Sequence, residues 1–96
     1  MFIVLLSYIK PILEVERFVS EHRAYLESHY ASGDFILSGR KEPRTGGVIL
    51  ARVMTRQAIE TIIMQDPFHR EQIANYEIIE VLPTMTAPQL QNFKVL

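Results

Sequence analysis

The hydrophobic and polar positions of the chain fall into strand-like and helix-like stretches that follow one another without a linker. Residues 2–8 open with the unbroken run Phe2-Ile3-Val4-Leu5-Leu6, which suits a buried central strand. Pro11 comes next, and the first turn of a helix tolerates proline because the amide it lacks has no partner there. The spacing predicts one helix from Pro11 to about Ser32, with Gly33 as its C-cap. Phe35-Ile36-Leu37-Ser38-Gly39 reads as a second strand and Val48 to Val53 as a third. The polar residues 40–47 between them, with Pro43, Gly46 and Gly47, read as the loop of a hairpin. Thr55 is placed to N-cap a second helix whose apolar face carries Ala58, Ile59, Ile62 and Ile63. Asp66-Pro67 ends that helix, since proline disfavours helical geometry in the residue before it. Tyr76 to Leu82 makes the fourth strand.

The order β-α-β-β-α-β is the split arrangement of ferredoxin-like folds. It predicts an α+β protein with a four-stranded antiparallel sheet and both helices on one face. No further helix is long enough to cover the other face. An open apolar face of that size marks an association surface, so a homodimer through the sheet is expected. The domain is expected to span residues 1–82. The tail, residues 83–96, carries Met85, Leu90, Phe93 and Leu96 and is expected to pack on the domain or on a partner subunit.

Composition narrows the function classes. A chain of 96 residues has one domain's worth of sequence, and 48% hydrophobic against 22% charged residues is a globular balance. Ten Lys and Arg against 11 Asp and Glu leave a net charge of −1, which removes the main electrostatic reason to propose nucleic-acid binding. The absence of cysteine excludes disulfides, thiolate catalysis and cysteine-based zinc sites. Ser7 and Lys10 interrupt the opening apolar run before it reaches spanning length, and it lacks the features of an export signal. No membrane association is expected, and the cytoplasm is the expected location.

The first helix carries the most informative chemistry. At roughly 100° per residue, Val15, Val19, His22, Leu26 and His29 share an arc of about 80°. His22 therefore stands mid-stripe, where leucine would be the ordinary choice. It is either a core histidine satisfied by one hydrogen bond or an imidazole at the floor of a pocket, able to move a proton near neutral pH. His29 reads as a boundary residue. Asp66 sits at a helix C-terminus, against the helix dipole, and so needs a reason. It either caps a short turn begun by Pro67 or pairs with His22, fixing the tautomer of the ring. Asp34 is an alternative partner, and spacing does not choose between them. Ser38-Gly39 ends a strand where serine can bond a ligand and glycine admits it to the backbone. Arg40, Lys41 and Arg44 put three positive charges in one loop, which suits an anionic substrate or a solvated face equally. His22, His29 and His69 lack the spacing of metal ligands, and Gly46-Gly47 is no phosphate loop, so neither metal nor cofactor is expected.

Taken together, these residues resemble the YciI-like (YCII-related) family of the dimeric α/β barrel superfamily. The matching features are His22-Arg23-Ala24-Tyr25-Leu26, Gly33 before Phe35 to Gly39, and Gly46-Gly47. They continue with Asp66-Pro67-Phe68 and with Ile73 to Ile78 leading into the last strand. The resemblance covers residues 1–82 and leaves out the tail and the Arg40–Arg44 loop. It implies a dimer with a pocket around a His–Asp pair, here His22 and Asp66, with Ser38 nearby. It further implies proton-transfer chemistry on small ring compounds, of the lyase or isomerase kind. On that reading His22 is the general base, Asp66 its orienting carboxylate, and Ser38, Gly39 and Arg40 hold the substrate. A binding module without turnover and a cofactor-free oxygenase are the rival classes.

Overall fold

Strand β1 (Phe2–Tyr8) decides the layering, because its even-numbered side chains are apolar and bury on one side. Phe2 and Val4 are fully buried and Leu6 nearly so. The computed structural model describes residues 1–94. In it β1 lies between β3 (Gly46–Ala51) and β4 (Ala74–Glu80), and β2 (Phe35–Arg40) forms the far edge. All three pairings are antiparallel, giving the order β2-β3-β1-β4. This is the α+β, ferredoxin-like fold that the element order predicts.

The helices supply the other half of the core. Helix α1 (Ile12–Glu16) contributes Val15, α2 (Val19–Ala31) contributes Tyr25, and α3 (Arg56–Met64) contributes Ile59, Ile62 and Ile63. A single turn, α4 (Pro67–Arg70), adds Phe68. Thr55 caps α3 by accepting from the Ala58 amide at 3.1 Å.

Several boundaries differ from those expected. The helix expected from Pro11 to Ser32 is two helices, because Phe18 leaves helical geometry at φ −115°, ψ 6°. The amides of Arg17 and Phe18 bond back three residues, to Glu14 and Val15, which tightens the last turn of α1. β3 begins at Gly46 and ends at Ala51, so the paired glycines belong to the sheet and not to the loop. β4 runs from Ala74 to Glu80, two residues earlier than its pattern suggests. At the other end of α2, Gly33 adopts φ +83°. Its amide bonds to Tyr30 and that of Asp34 to His29, the two bonds of a Schellman motif.

The sheet's second face presents Ile3, Leu5, Val48 and Leu50, half-buried, with Leu37 and Ile79 exposed. In the tail, residues 88–93 form a 3-10 turn, and Arg52 lies over the Phe93 ring at 5.3 Å. Leu82, Met85 and Leu90 are exposed, while Leu96 lies outside the described residues.

Gly46 tests the close approach of β3 to β1. A Cβ there would run into the Leu6 carbonyl oxygen, whereas one at Gly39 meets nothing within 4 Å. Gly46→Ala is expected to lower stability by at least about 2 kcal/mol and Gly39→Ala by less than about 0.5 kcal/mol, read as urea midpoints.

Candidate functional site

Asp66 is the polar residue around which the site is built. It follows α3 and precedes Pro67, and its extended backbone makes it the N-cap of α4. The residue therefore stands at the favourable end of the next helix's dipole, which accounts for a position that looked adverse from α3 alone. Its Oδ1 accepts from the Phe68 amide at 3.0 Å. The same oxygen lies 2.8 Å from His22 Nδ1, and the Tyr76 hydroxyl donates to Oδ2 at 2.6 Å. Capping and pairing, the two alternatives for Asp66, are thus one arrangement. The side chain is fully buried.

Each partner has a local reason for its position. Val4, Leu6 and Tyr8 of β1 pair with Ile78, Tyr76 and Ala74 of β4, so Tyr76 shares their buried face. A buried tyrosine needs a partner for its hydroxyl, and Asp66 supplies it. Burial, and then the Asp66 charge, push the Tyr76 hydroxyl far above the usual tyrosine range, so it remains a donor. The Tyr25 hydroxyl is raised by the same two causes and donates to the Ile62 carbonyl at 3.0 Å. Phe68 stacks flat on the His22 ring, with centroids 4.1 Å apart and planes 5° from parallel.

With the carboxylate accepting, His22 Nδ1 is the donor and Nε2 holds the ring's free lone pair. Nε2 makes no hydrogen bond among the described residues. The His22 side chain retains 17% exposure and lines a cavity of about 370 Å³ between α2 and the sheet. Ser38 and Arg40 reach the same cavity because they pair with Ile49 and Gly47 on the helix-facing side. The Ser38 hydroxyl is within 2.6 Å of the Tyr30 hydroxyl. Gly39 pairs with Val48 on the other face and borders the cavity through its backbone. Arg44 also lines it, with its guanidinium donating to Glu16 at 2.6 Å. Lys41 turns away to Ser7 at 3.1 Å. A larger depression of about 580 Å³ lies along β4 beside Ile63, Met64 and His69, and His22 does not border it.

Asp34 does not partner His22. It lies at the Schellman turn, where its Oδ2 accepts from His29 Nδ1 at 2.9 Å and from Ser32 at 2.7 Å. The His29 Nε2 is 2.9 Å from the Gln65 side-chain oxygen, so both ring nitrogens are engaged. Sequence reasoning missed this second pair, and it missed Tyr76 and Arg23 as parts of the first site. The parity of Tyr76 on a buried strand face was the one signal available for it. Among the described residues no three His, Cys, Asp or Glu side chains gather as metal ligands would. No helix among them is long and apolar enough to cross a membrane.

The antiparallel sheet with helices on one face, and a cavity-lining histidine held from behind by a buried aspartate, define a small α+β pocket protein. The family model of the YCII-related domain matches residues 1–82, and the chain belongs to that family. No curated protein matches the sequence. Among solved structures, the chain is similar to 5-chloro-2-hydroxyhydroquinone dehydrochlorinase (TftG) from Burkholderia phenoliruptrix AC1100, determined in complex with 2,5-dihydroxybenzoquinone. The TM-score is 0.70 at 17% identity, over 86% of this chain and 95% of that one. A likeness at that identity shows the fold.

The Asp34 cluster has a defined pH signature. Hydrogen bonds from His29, and then from Ser32, hold the Asp34 carboxyl below the usual aspartate range. A carboxyl lowered in the folded state stabilises the fold above its unfolded pKa, about 4, and loses that effect as pH falls through the folded value. The stability advantage of wild type over Asp34→Asn should be full at pH 6 and shrink below about pH 4, measured by urea unfolding.

Proposed function

We propose that this protein is a cofactor-independent enzyme of the lyase or isomerase kind, acting on a small ring compound. The observation that carries the reading is the polarised histidine. Nδ1 of His22 is held by a buried carboxylate, while Nε2 has no hydrogen bond among the described residues, on a ring that borders a cavity. Nε2 is then the general base. It takes a proton from the substrate, and the electron pair of the broken bond moves into the ring system. In a lyase the leaving group departs with its own pair, and in an isomerase the proton returns at another atom. The charge gained by the imidazole lies beside Asp66, which acts as a positioning residue. Tyr76 and the Phe68 amide hold that carboxylate, and the Phe68 ring fixes the imidazole plane. Ser38, Gly39 and Arg40 border the space that the substrate's oxygens would occupy.

Membership of the YCII-related family and the shared fold with a dehydrochlorinase support this reading. The substrate in that neighbour's name, 5-chloro-2-hydroxyhydroquinone, is the first compound to assay, by chloride release. A positioned base contributes roughly 10²–10⁴-fold, so His22→Gln should reduce turnover by that factor. Full activity in His22→Gln would overturn the role of the histidine. Binding of 2,5-dihydroxybenzoquinone at this cavity with no turnover of any ring substrate would favour a binding module.

Association through the open sheet face belongs to the same proposal. Ile3, Leu5, Val48 and Leu50 are only half-covered, and Leu37 and Ile79 are exposed beside them. Light scattering at micromolar concentration should give twice the 11.1 kDa mass of the chain. A stable monomer would count against the dimer and leave the chemistry of the cavity untouched.

A further inference from the structure

The charges around the cavity are one-sided. Arg23, Arg40 and Arg44 line it, and no Asp or Glu does among the described residues. In a chain with a net charge of −1 that is a concentration of positive charge in one place. The three differ in what they already bind. Arg44 is engaged by Glu16 at 2.6 Å. Arg23 and Arg40 form no ion pair among the described residues, where the ion pairs are those of Arg17, Arg44, Arg56, Arg70, His22 and His29.

Their positions flank the proposed base. Arg23 is the neighbour of His22 on α2, and Arg40 ends β2 on the helix-facing side, two residues after Ser38. The walls between them are apolar, with Leu6, Val19, Leu26 and Phe68. A ligand matched to this cavity has a flat apolar body and an anionic group at the rim. The guanidinium fork fits two oxygens on one carbon better than a single point charge.

We propose that Arg23 and Arg40 form a carboxylate-recognition site, and that the substrate is a small, mostly apolar ring acid ionised at neutral pH. The inference rests on reading this cavity as the substrate site, and it assigns a role to two residues outside the His22–Asp66 pair. Both arginines are exposed, so each contact is screened by water and the effect of one substitution is modest, about threefold in affinity. The two together should account for most of the preference for an anion. That preference should fall as added salt shortens the screening length.

The test compares benzoate with benzamide, which has a similar shape and no charge, in amide-resolved NMR titrations of the full chain. Wild type should bind benzoate at least about threefold more tightly than benzamide, with shifts at Ser38, Arg40 and Val48. The double variant Arg23→Gln/Arg40→Gln should bind the two alike. Lys41→Gln removes one positive charge next to Arg40 but lies outside the cavity, and it should retain the preference. Equal binding by wild type, shifts confined to other surfaces, or an undiminished preference in the double variant would overturn the proposal. If the double variant fails to fold, wild type decides alone, because a preference unchanged between low and high salt also overturns it. The assay reads binding and not turnover. A benzoate preference with no turnover of any ring substrate would sink the reaction and keep the anion site, and turnover without a preference would do the reverse.

Discussion

Everything around the cavity depends on one fully buried carboxylate. Placing Asp66 out of water removes its hydration, and a buried charge persists only where donors replace that hydration. Three do so here, the Phe68 amide, the Tyr76 hydroxyl and His22 Nδ1. They come from α4, β4 and α2, so satisfying this one group ties the helical layer to the sheet. The same bonds carry the proposed chemistry. Two donors hold the carboxylate still, and the third is the histidine whose far nitrogen is thereby left as an acceptor. An exposed ion pair from Arg70 to Glu21 at 2.9 Å spans the same two helices and contributes far less, because water screens it.

Helix α2 carries two histidine–aspartate pairs about two turns apart, and their surroundings separate their roles. His22 uses one nitrogen and faces a cavity. His29 is buried and uses both, between Asp34 and Gln65, at the point where the Schellman turn folds the chain back. A ring with both nitrogens engaged joins α2 to the start of β2 and the end of α3, and has no lone pair to offer a substrate. The difference comes from what lies across from each ring, since both stand on the same stripe of the helix.

The cavity exists because apolar packing stops short of the rim. Val19 and Leu26 are half-buried beside fully buried residues of β1, and the polar members of β2 replace what would otherwise be core side chains. Phe68 fills the inner end and presents its ring to His22. That contact narrows the orientations open to the imidazole without occupying either nitrogen. The fold thus provides a rigid inner wall and a charged outer edge.

The sequence by itself determined what depends on near neighbours. The unbroken apolar run opening residues 2–8, the cap at Thr55, the glycine after α2 and the proline after Asp66 placed the elements and their order, because each acts within a few residues. The order in turn implied the sheet topology. Spacing did not choose which carboxylate meets His22, since Asp66 is 44 residues away and Asp34 much nearer in the chain; the family resemblance pointed to Asp66, and the tertiary structure decided it. It also decided the break at Phe18, the use of Gly46 and Gly47 as strand residues, and the gathering of Arg23 and Arg40 on one cavity. Helical periodicity reports which face of a helix is buried. Which polar group stands opposite that face is settled by long-range packing and by the need to satisfy every donor and acceptor taken out of water.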